Sequence, residues 1–371
     1  MTKKLEIARV DVVGSFLRPD SLKKAREDFE IGKITEAQLK KVEDTEIEKL
    51  IEREKEIGLK FFTDGEFRRS WWHLDFFWGL QGVKKIDVKE GYIFHDEVTR
   101  PESATLTGKI SGENHPFVEH YKFIKKYEDK DHFARQTIPA PAQLLKEIDR
   151  NPKEEIEKIY PSRDGLINDI AKAYKHVILD LYKNGCRNLQ LDDCTWGMVV
   201  DKNYQDNLKK QNIDFNKEVN ELLLINNKAI SDLPDDLLIT TDVCRGNYHS
   251  SYASSGAYDE ISDLLFAKEN VDCYYLEYDT KRAGGFEPLK KVSPNKKVVL
   301  GLISSKFPKL EDKGEILDRI KEASKYIPIE RISISPQCGF ASTEEGNILT
   351  IEEQWRKIKL LWEIAEEAFN N

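Results

Sequence analysis

The segment DGLINDIAKAYKHVILDLYKNGCRNLQLDD, residues 164–193, predicts one helix followed by one buried strand. The helix extends from Asp164 to Asn184, and Gly185 is placed to end it, because glycine adopts the left-handed C-cap conformation at little cost. The run NLQL at 188–191 then predicts a short strand, and two aspartates follow it. A helix and a buried strand in this order indicate a parallel sheet covered by helices.

The same alternation recurs along the chain. Short β-branched or apolar runs occur at residues 9–13, 60–63, 133–138, 188–191, 237–241, 273–276, 297–300 and 331–334, with helical segments between most of them. Eight parallel strands joined by crossover helices can close into a barrel. The sequence therefore predicts an α/β fold, a (β/α)8 TIM barrel.

Further helices are predicted over residues 36–57, 216–231, 313–326 and 351–369, with Gly58 as a second C-cap. The pieces Tyr92–Phe94 and Ser103–Ile110 predict a hairpin inserted after the second strand, and the polar segment 202–216 predicts a mobile loop. No Pro/Gly-rich linker or low-complexity tract divides the sequence. We expect residues 1–371 to form one barrel domain with an insertion at about 71–128.

Charge and hydropathy exclude some classes of partner. The net charge is −9, and acids alternate with bases along the helices, which argues against nucleic acid. No apolar run approaches the roughly 18 residues of a membrane span. The first residues have no apolar stretch with a cleavage site, so we expect a cytoplasmic protein. The sequence leaves the oligomeric state open and is compatible with a homo-oligomer.

The five cysteines form no C-x-x-C pair, and their odd number argues against a disulfide framework. Taken singly, each cysteine is by default a small buried hydrophobe. They are Cys186, Cys194, Cys244, Cys273 and Cys338.

Polar residues follow the predicted strands where an active site would lie, because barrel enzymes build their sites at the carboxyl ends of the strands. They are Ser15, Glu66, Asp192, Asp242, Cys244, Glu277 and Cys338. Two cysteines and a glutamate from separate strand ends would form an open zinc site. On spacing alone, the alternative is two buried thiols and a surface acid.

Six motifs in this order carry a resemblance: VGSF at 13–16, DGEF at 64–67, LQLD at 189–192, DVC at 242–244, Glu277, and PQCG at 336–339. They resemble the motifs of the catalytic half of cobalamin-independent methionine synthase, and the likeness spans nearly the whole chain. It is nearest to the stand-alone, single-barrel relatives of that enzyme, in GSFLRP at 14–19 and CRGN at 244–247.

The resemblance implies a zinc-dependent methyltransferase. In that family, zinc holds homocysteine as a thiolate, which attacks the methyl group of methyltetrahydrofolate polyglutamate and gives methionine. Coordination removes the proton of a thiol whose free pKa is about 8.5. By resemblance, Cys244, Glu277 and Cys338 match three zinc ligands.

The resemblance also implies a site for the amino acid. Ser15, Glu66 and Asp192 match the positions that hold it, and the two acids would face its ammonium group. The alternative for the acids is structural, as partners of Arg68 or Arg187. The aromatic segment 71–78, WWHLDFFW, could stack on a flat donor such as a pterin or pack in the core, and both interpretations stay open.

The chain departs from the family's pattern at Asp242, where the metal motif His-x-Cys has histidine. Asp242 could be a further zinc ligand, could act as an acid beside a bound water, or could weaken the site, and His249 is a substitute ligand. The segment 301–306 has no histidine where the synthase has its proton donor, and Val12 replaces another histidine.

Three interpretations of the function therefore remain. The first is zinc-dependent methyl transfer to a thiol such as homocysteine, from a methyl donor that need not be folate polyglutamate. The alternative is a catalytically degenerate barrel that binds an amino acid or thiol without methyl transfer. A third interpretation is another zinc-thiol lyase or alkyltransferase on the same scaffold.

Overall fold

The computed structural model describes residues 4–369 and contains alternating helices and mostly parallel strands. In chain order the elements are α1 (Asp20–Glu30), α2 (Glu36–Glu56), β1 (Phe61–Phe62), α3 (Leu74–Trp78), β2 (Gln81–Asp87), β3 (Glu102–Ser111), α4 (Phe117–Lys125), β4 (Phe133–Ala134), β5 (Gln136–Pro139), α5 (Pro141–Ile148), α6 (Lys153–Ile159), α7 (Arg163–Lys183), β6 (Asn188–Asp193), α8 (Thr195–Val199), α9 (Lys202–Lys210), α10 (Phe215–Ala229), β7 (Leu238–Val243), α11 (Ser262–Lys268), β8 (Cys273–Glu277), β9 (Lys297–Ile303), α12 (Lys313–Ala323), β10 (Ile332–Pro336) and α13 (Ile351–Phe369).

The strands form a parallel sheet in chain order. β5 to β10 pair successively, and β4, which is separated from β5 only by Arg135, pairs with β1. The first predicted run and the residues after it join the two ends. Val10 bridges Ile334 within β10, and the Phe16 N–H donates to the Gly65 carbonyl at 3.1 Å, just beyond β1. The fold is a (β/α)8 barrel with a hairpin after its second strand, as the sequence predicts.

The run at residues 9–13 is not a regular strand, although a strand is predicted there. The Asp11 side chain accepts a hydrogen bond from the Val12 N–H at 2.8 Å, so this donor is not available to a neighbouring strand. The same carboxylate pairs with Arg135 and accepts a hydrogen bond from the Tyr275 hydroxyl at 2.6 Å. A buried polar contact therefore replaces part of the strand pairing here.

The helix at the centre of the opening segment, α7, begins and ends as its sequence predicts. Ser162 accepts a hydrogen bond from the Gly165 N–H at 3.2 Å at the N-cap. Gly185 follows the helix with a φ of +98°, and Gly58 follows α2 with a φ of +92°, so both predicted C-caps are confirmed. Among the described residues, no helix is both long and apolar enough to cross a membrane.

The inserted hairpin is present, but its first strand differs from the prediction. The antiparallel pair is β2 with β3, whereas Tyr92–Phe94 contributes only an isolated bridge between Ile93 and Val98. The β2 sequence QGVKKID is polar and mostly exposed, so it has little of the apolar character by which strands are recognised. A polar strand is tolerated here because β2 pairs only with β3, in an exposed two-stranded hairpin.

The mobile loop predicted at 202–216 is wrong, because most of this segment is helical. Asp201 caps α9 by accepting a hydrogen bond from the Asn203 N–H at 2.8 Å, and Asp214 caps α10 by accepting one from the Lys217 N–H at 2.8 Å. Local capping and the burial of Leu208 stabilise α9 despite its polar composition.

Candidate active site

A cavity of about 1250 Å³ opens at the carboxyl ends of the barrel strands. Its wall contains most of the residues predicted from the strand ends, namely Ser15, Glu66, Asp192, Asp242, Cys244 and Cys338. The barrel therefore brings together side chains that are far apart in sequence.

Three of these side chains form a compact donor group at the ends of β7 and β10. The ligand atoms of Asp242, Cys244 and Cys338 all lie within 4.8 Å of one another, and all three residues are buried. The sulfur atoms are 3.4 Å apart, and the Cys338 sulfur is 3.9 Å from Asp242 Oδ2.

The electrostatics of this group centre on Cys244. Hydrogen bonds from the thiols of Cys194 and Cys338 hold the pKa of Cys244 well below its ordinary value. The same hydrogen bonds, together with burial, raise the pKa of Cys194 and of Cys338 well above the ordinary value. Burial and the negative charge at Cys244 raise the pKa of Asp242. A cation bound among these groups would favour the ionised form of each of them.

The geometry of the group fits zinc. Tetrahedral zinc lies about 2.3 Å from thiolate sulfur and about 2.1 Å from carboxylate oxygen, which separates two sulfurs by about 3.8 Å and sulfur from oxygen by about 3.6 Å. The observed 3.4 Å and 3.9 Å agree within a few tenths of an ångström. Asp242 Oδ1 is buried and has no hydrogen-bond partner among the described residues, so it too could face a cation.

Glu277, the third ligand that the resemblance implies, ends β8 but is not a member of this three-residue group. Its Oε2 accepts a hydrogen bond from the Arg245 N–H at 2.8 Å, and its Oε1 lies 3.4 Å from both Lys306 Nζ and Arg282 Nη2. Burial raises the pKa of Glu277, and the charge of Lys306 opposes this rise. Glu277 therefore lies beside the donor group with cationic partners of its own.

Glu66 combines burial, strain and an unpaired oxygen. Its backbone has a φ of +61°, which is unfavourable for a residue other than glycine. Glu66 Oε1 accepts hydrogen bonds from Arg69 at 3.0 Å and from the Thr137 hydroxyl at 2.8 Å. Glu66 Oε2 is buried without a hydrogen-bond partner in the described part of the chain, so it can receive a ligand cation.

Asp192 and Ser15 complete the polar wall near Glu66. Burial and the nearby charge of Glu66 raise the pKa of Asp192 well above its ordinary value. Two carboxyl groups in this relation favour an ammonium group that lies between them. Ser15 closely approaches Gly339, where an added Cβ would lie 1.9 Å from the serine hydroxyl.

The two arginines expected as structural partners of these acids pair elsewhere, although Glu66 does form a buried ion pair with Arg69 at 3.0 Å. Arg68 pairs with Glu43 at 3.0 Å and also with Asp44, and Arg187 pairs with Asp236 at 3.1 Å. Neither arginine is a partner of Glu66 or Asp192 among the contacts described here.

Two other sequence candidates have mixed outcomes. His249 Nδ1 lies 3.0 Å from Glu97 of the insertion, and His249 does not belong to the donor group described above. The aromatic segment divides: Phe76 and Phe77 are buried in the core, whereas Trp72 lines the cavity. Core packing is therefore confirmed for Phe76 and Phe77, and stacking of Trp72 on a flat donor stays a prediction.

Cys194 is the main site residue that sequence reasoning missed. It lines the cavity beside Cys244, and the default assignment for a single cysteine placed it in the core. Its position directly after Asp192 and Asp193, at the end of the fourth predicted strand, was the available signal.

Comparison with known proteins identifies the family. The model of the cobalamin-independent synthase catalytic domain matches residues 9–354. The chain belongs to this family. It is 41% identical to the uncharacterized protein YxjG of Bacillus subtilis, over 97% of this chain and 94% of that protein. It is 24% identical to methionine synthase of Pyrococcus horikoshii, over 90% and 87% respectively.

Solved structures agree with this assignment. A Listeria monocytogenes protein, named as a candidate vitamin-B12 independent methionine synthase, is 35% identical and has a TM-score of 0.78, with 100% of both chains covered. A B12-independent methionine synthase from a Shewanella species, in complex with selenomethionine, has a TM-score of 0.73 at 19% identity, over 98% of both chains. The second likeness supports the fold alone.

Proposed function

We propose that this protein is a zinc-dependent methyltransferase that transfers a methyl group to the thiol of an amino acid, with homocysteine as substrate and methionine as product. The observation that carries the proposal is that Asp242, Cys244 and Cys338 share one cavity with Glu66 and Asp192. A thiol amino acid has a sulfur and an ammonium group that these two sets of side chains can receive.

Asp242, Cys244 and Cys338 would hold the zinc, with Glu277 as a further ligand or as their charged neighbour. Bound zinc supplies a thiolate nucleophile at neutral pH by lowering the pKa of a coordinated thiol. Lys306 lies 3.4 Å from Glu277 and offsets part of the negative charge that Asp242 adds where the family has a neutral imidazole.

The amino-acid end of the substrate would bind at the other polar wall. Glu66 Oε2 and Asp192 receive the ammonium group, and burial makes such a charge-assisted hydrogen bond stronger than it would be in water. Arg69 and Thr137 hold Glu66 Oε1, so that Oε2 stays directed to the ligand. These contacts orient the thiol for attack and add no covalent chemistry.

The basic residues of the cavity wall indicate how much negative charge a methyl donor can carry. The wall has five basic residues, and each contacts an acid or a carbonyl: Lys146 with Glu218, Arg150 with Glu147, Lys153 with Glu157, Arg163 with Asp149, and Arg245 with Gly256. A long polyglutamate tail would therefore meet few unpaired cations. We propose a methylated donor with a flat ring and a short anionic tail, for which Trp72 offers a stacking surface.

Metal analysis and a methyl-transfer assay test this function. Protein purified without chelator should contain close to one zinc per chain, and it should convert homocysteine to methionine with methyltetrahydrofolate, the monoglutamate serving at least as well as the triglutamate. Changing both Cys244 and Cys338 to Ser should abolish both properties. Cys186→Ser is the matched control, because Cys186 is buried and bonds the Asn188 carbonyl at 3.3 Å, away from the donor group. A zinc-free wild-type protein would overturn the proposal.

A second candidate function is binding of an amino acid or thiol without methyl transfer. A folate leaving group needs a proton in the transition state, and His73 is the only histidine in the described cavity wall. Burial lowers the pKa of His73 to about 3, which makes it a poor acid at neutral pH. Homocysteine binding by calorimetry, without turnover for any methyl donor, would favour this function.

A further inference from the structure

We infer that His73 is a specificity residue for the methyl donor, and that its Nδ1 accepts a hydrogen bond from an N–H group on the donor's ring. This inference rests on the proposed function, because it concerns the cavity in which a methyl donor would bind. It names the ring that the cavity recognises, namely a neutral heterocycle with N–H groups along one edge.

A chain of hydrogen bonds leads from Glu147 on α5 to His73. Glu147 Oε1 accepts a hydrogen bond from the Ser103 hydroxyl, and Glu147 Oε2 lies 3.5 Å from Arg150 Nη1. The Tyr92 hydroxyl lies 2.7 Å from the same Oε2. A carboxylate accepts hydrogen bonds and donates none, so Tyr92 donates its only hydroxyl proton to Glu147.

Tyr92 in turn fixes the position of the proton on His73. His73 Nε2 lies 3.0 Å from the Tyr92 oxygen, which has given its own proton to Glu147 and can only accept from the ring. Burial lowers the pKa of His73 to about 3, so the imidazole is neutral near pH 7 and has a single N–H. That N–H is at Nε2, and Nδ1 therefore has a free lone pair.

This lone pair has no partner within the part of the chain that the structure describes. His73 is 3% exposed and lines the cavity, and its Nδ1 is buried without a hydrogen bond. Buried polar atoms of folded proteins are nearly always paired, with protein, water or ligand. An N–H group of a ligand in the cavity would complete the hydrogen bond.

Two further unpaired polar atoms belong to the same cavity wall. Thr343 lies beside the aromatic segment, because it forms an isolated bridge with Trp71. Gln143 lies on α5 one turn before Glu147, and so on the same face of the helix. Thr343 Oγ1 and Gln143 Oε1 are both buried without a hydrogen-bond partner among the described residues. The wall therefore suits a ring edge that has more than one N–H group.

The charge of this wall favours a neutral ring. Arg150 balances the charge of Glu147 and lies 4.1 Å from the centre of the Tyr92 ring, so these three side chains and His73 carry no net charge together. A cationic methyl donor, such as a sulfonium, gains little from neutral acceptors. A reduced pterin is neutral and carries ring N–H and amino groups together, so it has the chemistry that this wall can recognise.

Calorimetry with zinc-loaded full-length protein tests the inference. His73→Phe keeps a ring and removes the acceptor, so binding of methyltetrahydrofolate should weaken about tenfold while homocysteine binding stays unchanged. Tyr92→Phe frees the His73 proton to move to Nδ1, so it should weaken methyltetrahydrofolate binding by a smaller factor. Tyr182→Phe is the matched control and should change neither affinity. It also removes a hydroxyl that donates to a carboxylate, that of Asp236 at 2.7 Å, and Tyr182 is not among the described residues of the cavity wall.

NMR of protein with 15N-labelled histidine measures the tautomer itself. In wild type, His73 should be protonated at Nε2 alone, and added methyltetrahydrofolate should shift the Nδ1 resonance in the direction of an accepted hydrogen bond. Tyr92→Phe should give a mixture of the two tautomers, which also assigns the signal to His73. The wild-type spectra test the inference even if His73→Phe does not fold. A proton on Nδ1 in the wild type would overturn it.

The outcomes separate this inference from the proposed function. If wild type binds zinc and homocysteine, and His73→Phe binds methyltetrahydrofolate as tightly as wild type, the inference fails and the proposed function stands. The same holds if wild type transfers methyl from a sulfonium donor and does not bind methyltetrahydrofolate. Equal losses of methyltetrahydrofolate and homocysteine binding in His73→Phe would overturn the inference, because His73 would then support the cavity generally. If wild type holds no zinc and the His73 results are as expected, the proposed function fails and the ring site stands.

Discussion

The sulfur atoms of Cys244 and Cys338 lie 3.4 Å apart, although the residues are 94 positions apart in the chain. Cys244 directly follows β7, and Cys338 comes soon after β10, so the curvature of the barrel brings the two thiols together. The buried carboxylate of Asp242 completes the group. This carboxylate gives the site a negative charge that an imidazole would not give it, and its effect can be measured.

Replacing Asp242 by His should strengthen thiol binding by the zinc-loaded protein. The imidazole keeps a zinc ligand and removes one negative charge beside Cys244, so a substrate thiolate meets less repulsion. We expect the affinity for homocysteine to rise on the order of tenfold, which corresponds to about 1.4 kcal/mol. Calorimetry with zinc-loaded protein measures this change.

Asp242→Asn is the control for the ligand, since it removes the same charge as Asp242→His but also removes the strong ligand. It should bind zinc more weakly than either wild type or Asp242→His. If Asp242→His keeps its zinc but binds homocysteine less tightly than wild type, the charge argument is wrong.

Replacing Glu66 by Gln should weaken recognition of the substrate ammonium group. The amide keeps an oxygen for Arg69 and Thr137 but replaces the unpaired carboxylate oxygen with a neutral group. A hydrogen bond to a charged group contributes about 1.5–3 kcal/mol, so KM for homocysteine should rise roughly 10- to 100-fold. Steady-state kinetics of methyl transfer measure the change.

The matched comparison is 4-mercaptobutyrate, which has the thiol and carboxylate of homocysteine and lacks the ammonium group. Its binding should change little between wild type and Glu66→Gln. An equal loss for both thiols would mean that Glu66 supports the cavity generally and does not recognise the ammonium group.

Replacing Gly339 by Ala should damage the amino-acid site through Ser15. A Cβ at this position would lie 1.9 Å from the Ser15 hydroxyl oxygen, so one of the two chain segments must move. Overpacking of this kind costs about 1–3 kcal/mol, and we expect a loss of unfolding free energy in that range together with weaker homocysteine binding. Urea unfolding and calorimetry measure the two effects.

Gly108→Ala is the control, because an added Cβ there meets no atom within 4 Å. Combining Gly339→Ala with Ser15→Ala should recover part of the lost stability, since the closest contact is removed. Strictly additive losses in the double variant would contradict the proposed clash.

Much of the fold could be predicted because each barrel strand carries its own local signal. The run before Asp192 alternates polar residues with leucine and ends in acids, and Gly185 marks the end of the preceding helix. The polar strand β2 has no such signal, since it pairs only within an exposed hairpin. The helix α9 depends on a cap from Asp201 and on burial of Leu208, which a polar composition conceals.

The sequence predicts which strand ends carry the site residues. It does not predict which of these side chains contact one another. The resemblance pointed to Cys244 and Cys338, and the barrel brings them together. The contact of Lys306 with Glu277 and the approach of Cys194 to Cys244 depend on strand register and side-chain rotamers. These are tertiary properties, and no local sequence pattern encodes them.

Glu269 should make the stability of the protein depend on pH. Burial raises the pKa of this carboxyl to about 8, and the charge of Asp193 acts in the same direction. Its Oε1 accepts hydrogen bonds from Asn226 at 2.9 Å and from Trp196 at 3.4 Å, and Lys296 donates to its backbone carbonyl. The folded protein therefore holds a proton that the unfolded chain releases near its ordinary pKa of about 4.3.

The stabilisation that comes from the neutral Glu269 carboxyl is complete below about pH 4. It is lost progressively until about pH 8, because over this window the unfolded state binds fewer protons than the folded state. A shift of this size corresponds to a few kcal/mol, at about 1.4 kcal/mol for each pKa unit. Glu269→Gln stays neutral throughout. Its unfolding free energy, measured by urea unfolding, should therefore rise relative to that of wild type by a few kcal/mol between pH 5 and pH 8.5. Glu330→Gln, on the exposed surface, should follow wild type at both pH values. If the unfolding free energies of wild type and Glu269→Gln change equally with pH across this range, the carboxyl of Glu269 is already ionised at pH 5. Its burial would then not make the stability of the protein depend on pH.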